Sequence, residues 1–278
     1  MRNLALHQIS LAQGGPDALV RFAAKAGLKK VCLFTTSPLT EAGEEMFPVV
    51  AAADKKDFQS LLSDNQMSII NAEYFPVMPG LDVTQYEAAL ELAAELGAKR
   101  AVTHIAETDN TRIADQLGKL CEMGRDLGME IGLEFTGFAK GCDSLERAVK
   151  LHRAINEPNL KIAIDALHLF RTSGTLEQIK AIDPLDICYA QICDGPDFRQ
   201  SDSYGEEAMN RMIPGEGIFP LRDFLALFAE HVDLDIEVPH YNHAPDFDAE
   251  DWACQAIAAS KALLSSALPS PANHNKDN

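Results

Sequence analysis

The 278-residue chain predicts an α/β fold, a (β/α)8 barrel in a single domain. Three observations carry that expectation. Short apolar, β-rich runs recur along the sequence, amphipathic helical stretches separate them, and acidic or amide side chains close the later runs. Strand and helix patterns in alternation are the signature of parallel strands joined by crossover helices. The length alone would also allow two domains of roughly 150 residues, whereas a barrel of about 250 residues uses the chain once. An open doubly wound sheet shares the local pattern, but no G-x-G-x-x-G turn supports it.

The strand-like runs are Leu4 to Ile9, Lys30 to Phe34, Ser68 to Ala72, Ala101 to Ile105, Glu130 to Phe135, Lys161 to Asp165, Ile187 to Ile192 and Asp235 to Val238. Helix start and stop signals lie between them. Asp82 and Thr84 precede YEAALELAAEL, and Gly97 follows it, as N-cap and C-terminal glycine should. Asp143 and Glu146 resemble a capping box, with Ala148, Leu151, His152 and Ile155 sharing one face beyond it. The last helix is expected to begin near Asp248 and to run through Trp252, Ala256, Ala259 and Leu263.

Two stretches break this rhythm. Cys193 to Phe219 shows no clear strand or helix pattern, and loops of that length are usually functional or disordered. Residues 266–278, SALPSPANHNKDN when read from Ser265's neighbour onward, are polar and aperiodic. The expected organisation is therefore a barrel over 1–265 and a disordered tail over 266–278.

Composition bounds the function. The chain is 46% hydrophobic and 24% charged, enough for a sizeable core, and no apolar run approaches the roughly 18 residues of a membrane span. Its 24 basic and 42 acidic residues give a net charge of −18, which repels phosphate backbones and anionic membranes. A small-molecule substrate is expected, with no nucleic acid and no membrane partner; a homodimer is compatible with the fold. Six cysteines without a C-x-x-C pair suit reduced thiols, and the N-terminus lacks signal-peptide organisation, so a cytoplasmic protein is expected.

In a parallel barrel, the C-terminal strand ends converge on one mouth. Strand five ends at Glu134, strand six at Asp165, strand seven at Gln191 and strand eight at Glu237. Taken singly, each carboxylate could pair with a lysine or arginine. Three together, with an amide, make electrostatic sense around a divalent ion. An all-oxygen set favours one hard ion, Mn²⁺ or Mg²⁺, with Co²⁺ or Zn²⁺ as alternatives.

His168 follows Asp165 by three residues and is a candidate base, although a lone histidine is often structural. His7, Glu73 and His104 stand near other strand ends as candidate substrate contacts. The long seventh loop carries Arg199 and Arg211 and closes on PGEG at 214–217, whose amides and guanidinium are suited to an anionic or hydroxylated substrate. Arg211 is the preferred contact; a surface charge and a plain turn are the competing reading. His240 and His243, in PHYNHAP, could belong to a second metal site, but their Pro-bounded loop favours solvent contact.

LEFTGF, AIDALHLFRTSG, AQICDGP, RMIPGEGIFPL and IEVP, in that order, resemble the sugar phosphate isomerase/epimerase family of xylose-isomerase-like barrels, over roughly Asn71 to Leu264. The resemblance implies a TIM barrel with one divalent metal at its mouth, acting on hydroxy-ketones. It places metal ligands at Glu134, Asp165, Gln191 and Glu237, and a substrate-contacting histidine at His168. Many sugar epimerases of the family carry histidine where this chain has Gln191, and glutamine there also resembles the superfamily's dehydratases, such as 3-dehydroshikimate dehydratase.

The expected function is a metal-dependent isomerase or epimerase of a keto-sugar or related polyhydroxy ketone. A metal holding the carbonyl acidifies the neighbouring C–H, and Glu134, Glu237 and His168 are the acid/base candidates for an enediolate route. Loss of a β-hydroxyl instead gives a dehydratase of the dehydroshikimate or inosose type. Two remoter readings are a non-catalytic sugar-binding barrel and an apurinic-site endonuclease. The latter is opposed by the acidic charge and the paucity of histidines.

Overall fold

The computed structural model describes residues 4–11, 14–40, 42–242 and 244–267. Eight parallel strands close in sequential order into a barrel: β1 (Leu4–His7), β2 (Lys30–Phe34), β3 (Ser68–Glu73), β4 (Arg100–Thr103), β5 (Glu130–Glu134), β6 (Leu160–Asp165), β7 (Ile187–Ile192) and β8 (Asp233–Ile236). Closure is made by β1 pairing with β8, Leu4 opposite Leu234 and Leu6 opposite Ile236. The eight expected runs correspond to these strands: β2 and β7 coincide, four others differ by one or two residues at one end, and β4 and β8 by one or two at both ends.

Helices α1 (Pro16–Lys25), α2 (Lys55–Asn65), α3 (Glu87–Glu95), α4 (Asn110–Asp126) and α5 (Leu145–Ile155) follow the first five strands. Two short helices, α6 (Ala166–Arg171) and α7 (Leu176–Lys180), follow β6; α8 (Tyr204–Ala208) and α9 (Leu221–Ala226) follow β7; α10 (Ala249–Ala267) follows β8. Each long helix buries one stripe. In α4, Ile113, Leu117, Leu120 and Cys121 repeat at helical spacing against the barrel, and the Asp109 side chain accepts from the Thr111 and Arg112 amides. Such a cap contributes about 1 kcal/mol.

One local expectation needs correction. The cap of α5 is Ser144, which accepts from the Arg147 amide, rather than Asp143; the extended backbone of Ser144 turns its hydroxyl over the first turn. The helix before Gly97 opens with a 3-10 turn, Val83–Tyr86, capped by Asp82 as expected. At the far end, α10 continues to Ala267, two residues into the 266–278 stretch, and 268–278 lie outside the described residues. No helix among the described residues is long and apolar enough to cross a membrane. All six cysteines are free thiols, five of them buried.

Because side chains alternate along a strand, every second residue points into the barrel. The floor is polar: Asp233 pairs with Lys30, Lys99 and Arg100, and Arg100 also reaches Glu130. Above it, Val102, Ala163, Cys188 and Tyr189 pack together. Gly132 is small for a reason, since a Cβ there would press within 3.1 Å of the Tyr189 ring. This packed middle makes the barrel a solid plug whose upper layer is the mouth.

Candidate functional site

Each mouth residue is placed by its strand. Glu134 and Asp165 are the last residues of β5 and β6, and Gln191 lies opposite Asp165 in the β6–β7 register. Glu237 sits one residue past β8, where its amide continues the ladder to the Ile192 carbonyl. All four are buried, and oxygens of Glu134, Asp165 and Glu237 lie within 4.8 Å of one another. The Gln191 Oε1 atom, on the strand between Asp165 and Glu237, is buried with no hydrogen-bond partner among the described residues. A buried acceptor without a partner is costly. Three convergent carboxylates beside one therefore fit a hard divalent ion.

The D-x-x-H spacing has a local cause. Asp165 is the N-cap of α6, its Oδ1 accepting from the His168 amide at 2.9 Å, so the imidazole is carried on the first helical turn beside the mouth. His168 Nε2 stands 3.7 Å from Glu134 Oε1, and its Nδ1 is hydrogen-bonded to the Tyr204 hydroxyl. Burial depresses its basicity, to a pKa of about 4. On the other oxygen of Glu134, the Tyr189 hydroxyl donates at 3.0 Å and His104 Nε2 lies 3.5 Å away. Burial pushes the Glu134 carboxyl up, but His104 and the more distant His168 and Arg211 outweigh it and bring it to about 2.

Arg211 does not stand free at the rim to meet an anion. It is buried, with Nη1 donating to Asp165 Oδ2 at 2.5 Å and to Glu237 Oε2 at 3.1 Å, Nη2 donating to Glu237 Oε1 at 3.1 Å, and Nε donating to the Ala208 carbonyl at 3.0 Å. The guanidinium thus serves two of the three carboxylates, Asp165 and Glu237. Burial pushes Glu237 well above the usual carboxylate range, against the opposing pull of Arg211 and His7.

One amide of PGEG, that of Gly215, also has an internal carboxylate partner, which it shares with two amides flanking that turn in the loop. Asp194 Oδ2 accepts from Gly215 at 2.8 Å, and its Oδ1 accepts from Gly195 at 2.9 Å and Phe219 at 3.0 Å. One of the amides expected to meet substrate is thus taken by a carboxylate of the chain, which folds the long loop back. That loop is ordered by a bridge between Asp194 and Met212 and by α8, which brings Tyr204 to His168. Arg199 remains exposed beside Asp197.

A cavity of about 340 Å³ opens above these groups, lined by His7, Glu73, His104, Glu134, His168, Gln191, Arg211 and Glu237, so every expected site residue except the deeper Asp165 faces it. Its remaining wall is largely apolar, with Ile9, Phe34, Phe47, Tyr74, Phe138 and Met209. His7 lies 3.6 Å from Glu73, and burial, which lowers its basicity, is outweighed by Glu237 and Glu73, giving a pKa of about 9. His240 is stacked on Trp252, away from this cluster, and His243 lies outside the described residues.

Sequence reading missed Tyr189 and Tyr204. Tyr189 could have been found, because it precedes Gln191 by two on one strand and so points to the same side. Tyr204, 36 residues from His168, had no local signal.

The model of the xylose isomerase-like TIM barrel family matches residues 20–263. Inosose isomerase of Bacillus licheniformis is 22% identical over 173 residues, 57% of this chain and 61% of that protein, so the match spans less than two thirds of the relative. Among solved structures, the IolI protein with a bound zinc atom is similar with a TM-score of 0.80 and 17% identity, over 97% of this chain and 100% of that one. A probable 3-DHS dehydratase from Bacillus anthracis, AsbF, gives 0.73 and 16%, over 94% and 98%. At such identities the structures speak for the fold, while the family model covers most of the chain. With its closed eight-stranded barrel and its acidic mouth, this chain belongs to the xylose isomerase-like TIM barrel family.

Proposed function

We propose that the chain is a divalent-metal-dependent isomerase or epimerase of an uncharged polyhydroxy ketone, transferring a proton at the carbon beside the carbonyl. The observation that carries this reading is the buried, unpartnered Gln191 Oε1 beside three convergent carboxylates. Glu134, Asp165, Gln191 and Glu237 would hold the ion. Their all-oxygen set suits Mn²⁺ or Mg²⁺, and the zinc of the similar IolI structure supports a divalent ion more generally. When bound, the ion would polarise the substrate carbonyl and offset the negative charge developing on its oxygen.

The protein's own groups then divide the work. Tyr189 and His104 hold Glu134 Oε2, which leaves Oε1, beside His168 Nε2, as the atom that exchanges a proton. The other ring nitrogen of His168 is held by the Tyr204 hydroxyl, which fixes the ring with Nε2 facing Glu134. Glu237, from β8, offers the second carboxyl, oriented through both oxygens by Arg211. Two carboxyls on different strands are what proton removal and return at different faces or carbons require.

The walls narrow the substrate class. Among the described residues no lysine lines the cavity, and its one arginine is engaged by Asp165 and Glu237. No lysine or unpaired arginine among the described lining residues is therefore available to a phosphate or carboxylate. Aromatic and aliphatic walls suit the C–H faces of a neutral ring or chain, as in the inosose of the curated relative. A dehydratase acting on such a ketone is the second reading, favoured by the Tyr204–His168 pair as a source of a proton for a departing hydroxyl.

The test is metal analysis followed by incubation of the Mn²⁺-loaded protein in D₂O with ketoses, inososes and dehydroshikimate. Deuterium entering a carbon of a neutral ketone is the expected result. A new enone absorbance selects dehydration. Turnover confined to phosphorylated or carboxylated substrates would overturn the substrate class, and absence of both metal binding and exchange would overturn the enzyme.

A further inference from the structure

On the opposite half of the barrel stands a second group of potential ligands that the reaction above does not use as such. His7 on β1, Cys32 on β2 and Glu73 on β3 present a nitrogen, a sulfur and an oxygen within 4.8 Å of one another, all buried. The Cys32 thiol donates to Glu73 Oε1 at 3.3 Å, and His7 Nε2 lies 3.6 Å from the same oxygen. Asp235 on β8, the strand that pairs with β1, lies outside that 4.8 Å group and bears on Cys32 and His7 by its charge. Asp235 is fully buried, and neither carboxylate oxygen has a hydrogen-bond partner among the described residues. No lysine or arginine pairs with Glu73 or Asp235 among them either.

We propose that His7, Cys32, Glu73 and Asp235 form a second metal site, selective for Zn²⁺ or a similar borderline ion, beside the all-oxygen site of the mouth. The donor sets differ in kind. One imidazole, one thiolate and two carboxylates suit a four-coordinate zinc, whereas the mouth set suits a harder ion. The unpartnered Asp235 is the independent observation, since a buried carboxyl without a partner is expensive and a cation answers it directly. His7 and Glu73 also line the mouth cavity, which gives the ion a path inward.

Binding is balanced by proton release: the Cys32 S–H bond breaks and sulfur becomes a ligand, the His7 imidazolium gives up its Nε2 proton, and both protons leave to solvent. The Ile9 amide lies 3.3 Å from His7 Nδ1, so Nε2 is the nitrogen turned to Glu73. Coordination through Nε2 places the ring proton on Nδ1 and gives up that weak contact.

Cobalt distinguishes the two sites, because a thiolate ligand adds a near-ultraviolet charge-transfer absorption that an all-oxygen site lacks. Titration of the metal-stripped full chain with Co²⁺ is expected to produce that band, and equilibrium dialysis to find two ions per chain. Cys32→Ser should abolish the band and one equivalent, while Glu134→Ala keeps the band and loses the other. Cys193→Ser and Cys254→Ser should leave it intact. Should Cys32→Ser not fold, Asp235→Asn and Glu73→Gln preserve shape and should weaken the band-forming affinity about 10-fold or more. A folded protein without the band at saturating Co²⁺, or a band that persists in Cys32→Ser, overturns the proposal. Those results leave the mouth reading untouched, because its own equivalent is counted separately.

Discussion

Arg211 Nη1 lies 2.5 Å from Asp165 Oδ2, so a side chain from the β7 loop is salt-bridged to the cap residue of α6, with both groups buried. The guanidinium also grips Glu237. The protein cation and the proposed divalent ion would therefore draw on the same carboxylates. Breaking one member of a buried pair typically costs about 3–5 kcal/mol. Arg211→Met should lower the melting temperature of the metal-stripped protein steeply, and Mn²⁺ should restore more stability to the variant than to the parent. Thermal unfolding with and without Mn²⁺ checks this; equal metal-induced shifts would show that the arginine and the ion do not share charge.

Glu134→Gln keeps an oxygen donor but cannot take a proton, so turnover should fall by about 10² to 10⁴ while metal binding persists. Paired measurement of metal content and exchange into substrate decides it. Activity within a few-fold of the parent would reassign the base.

Asp194 gathers three backbone amides of the β7 loop. Asp194→Ala leaves those donors without their partner, at about 1–3 kcal/mol for each one that stays buried. Because this loop carries Arg211 and Tyr204, the variant should lose catalysis as well as stability. Faster amide exchange across 195–219, read by mass spectrometry, is the expected signature; Gly217→Ala should act in the same direction, since a Cβ there collides with Asp194 and the Gly195 carbonyl.

Acid sensitivity should track the barrel floor. Burial alone would raise the Asp233 carboxyl, but Lys30 and Arg100 outweigh it and bring it from 3.8 to about 2. A carboxyl depressed on folding stabilises above its unfolded value, and that stability disappears as pH falls from about 3.8 through about 2. Asp233→Asn should be less stable at neutral pH and have a flatter acid limb in this window. Identical limbs in denaturant titrations at pH 2 to 5 would remove Asp233 from the account.

The sequence by itself determined the strand–helix order, the identity of the four mouth residues and their common end of the barrel. It could do so because strand alternation is local and because a closed parallel barrel brings all C-terminal strand ends together. Gln191 and Glu237 were legible as strand-end residues, and Asp165 with His168 as a three-residue spacing that proves to be a helix cap. Only the tertiary structure decided what Arg211 touches, that Asp194 gathers the Gly195, Gly215 and Phe219 amides of the long loop, and that Tyr204 meets His168. The last pairing spans 36 residues, and that of Arg211 with Asp165 spans 46. Such contacts depend on how a long loop folds back over the mouth, and hydrophobic period carries no information about that path. The same holds for His7, Cys32, Glu73 and Asp235, whose strands come from both ends of the chain and become neighbours only when β8 pairs with β1.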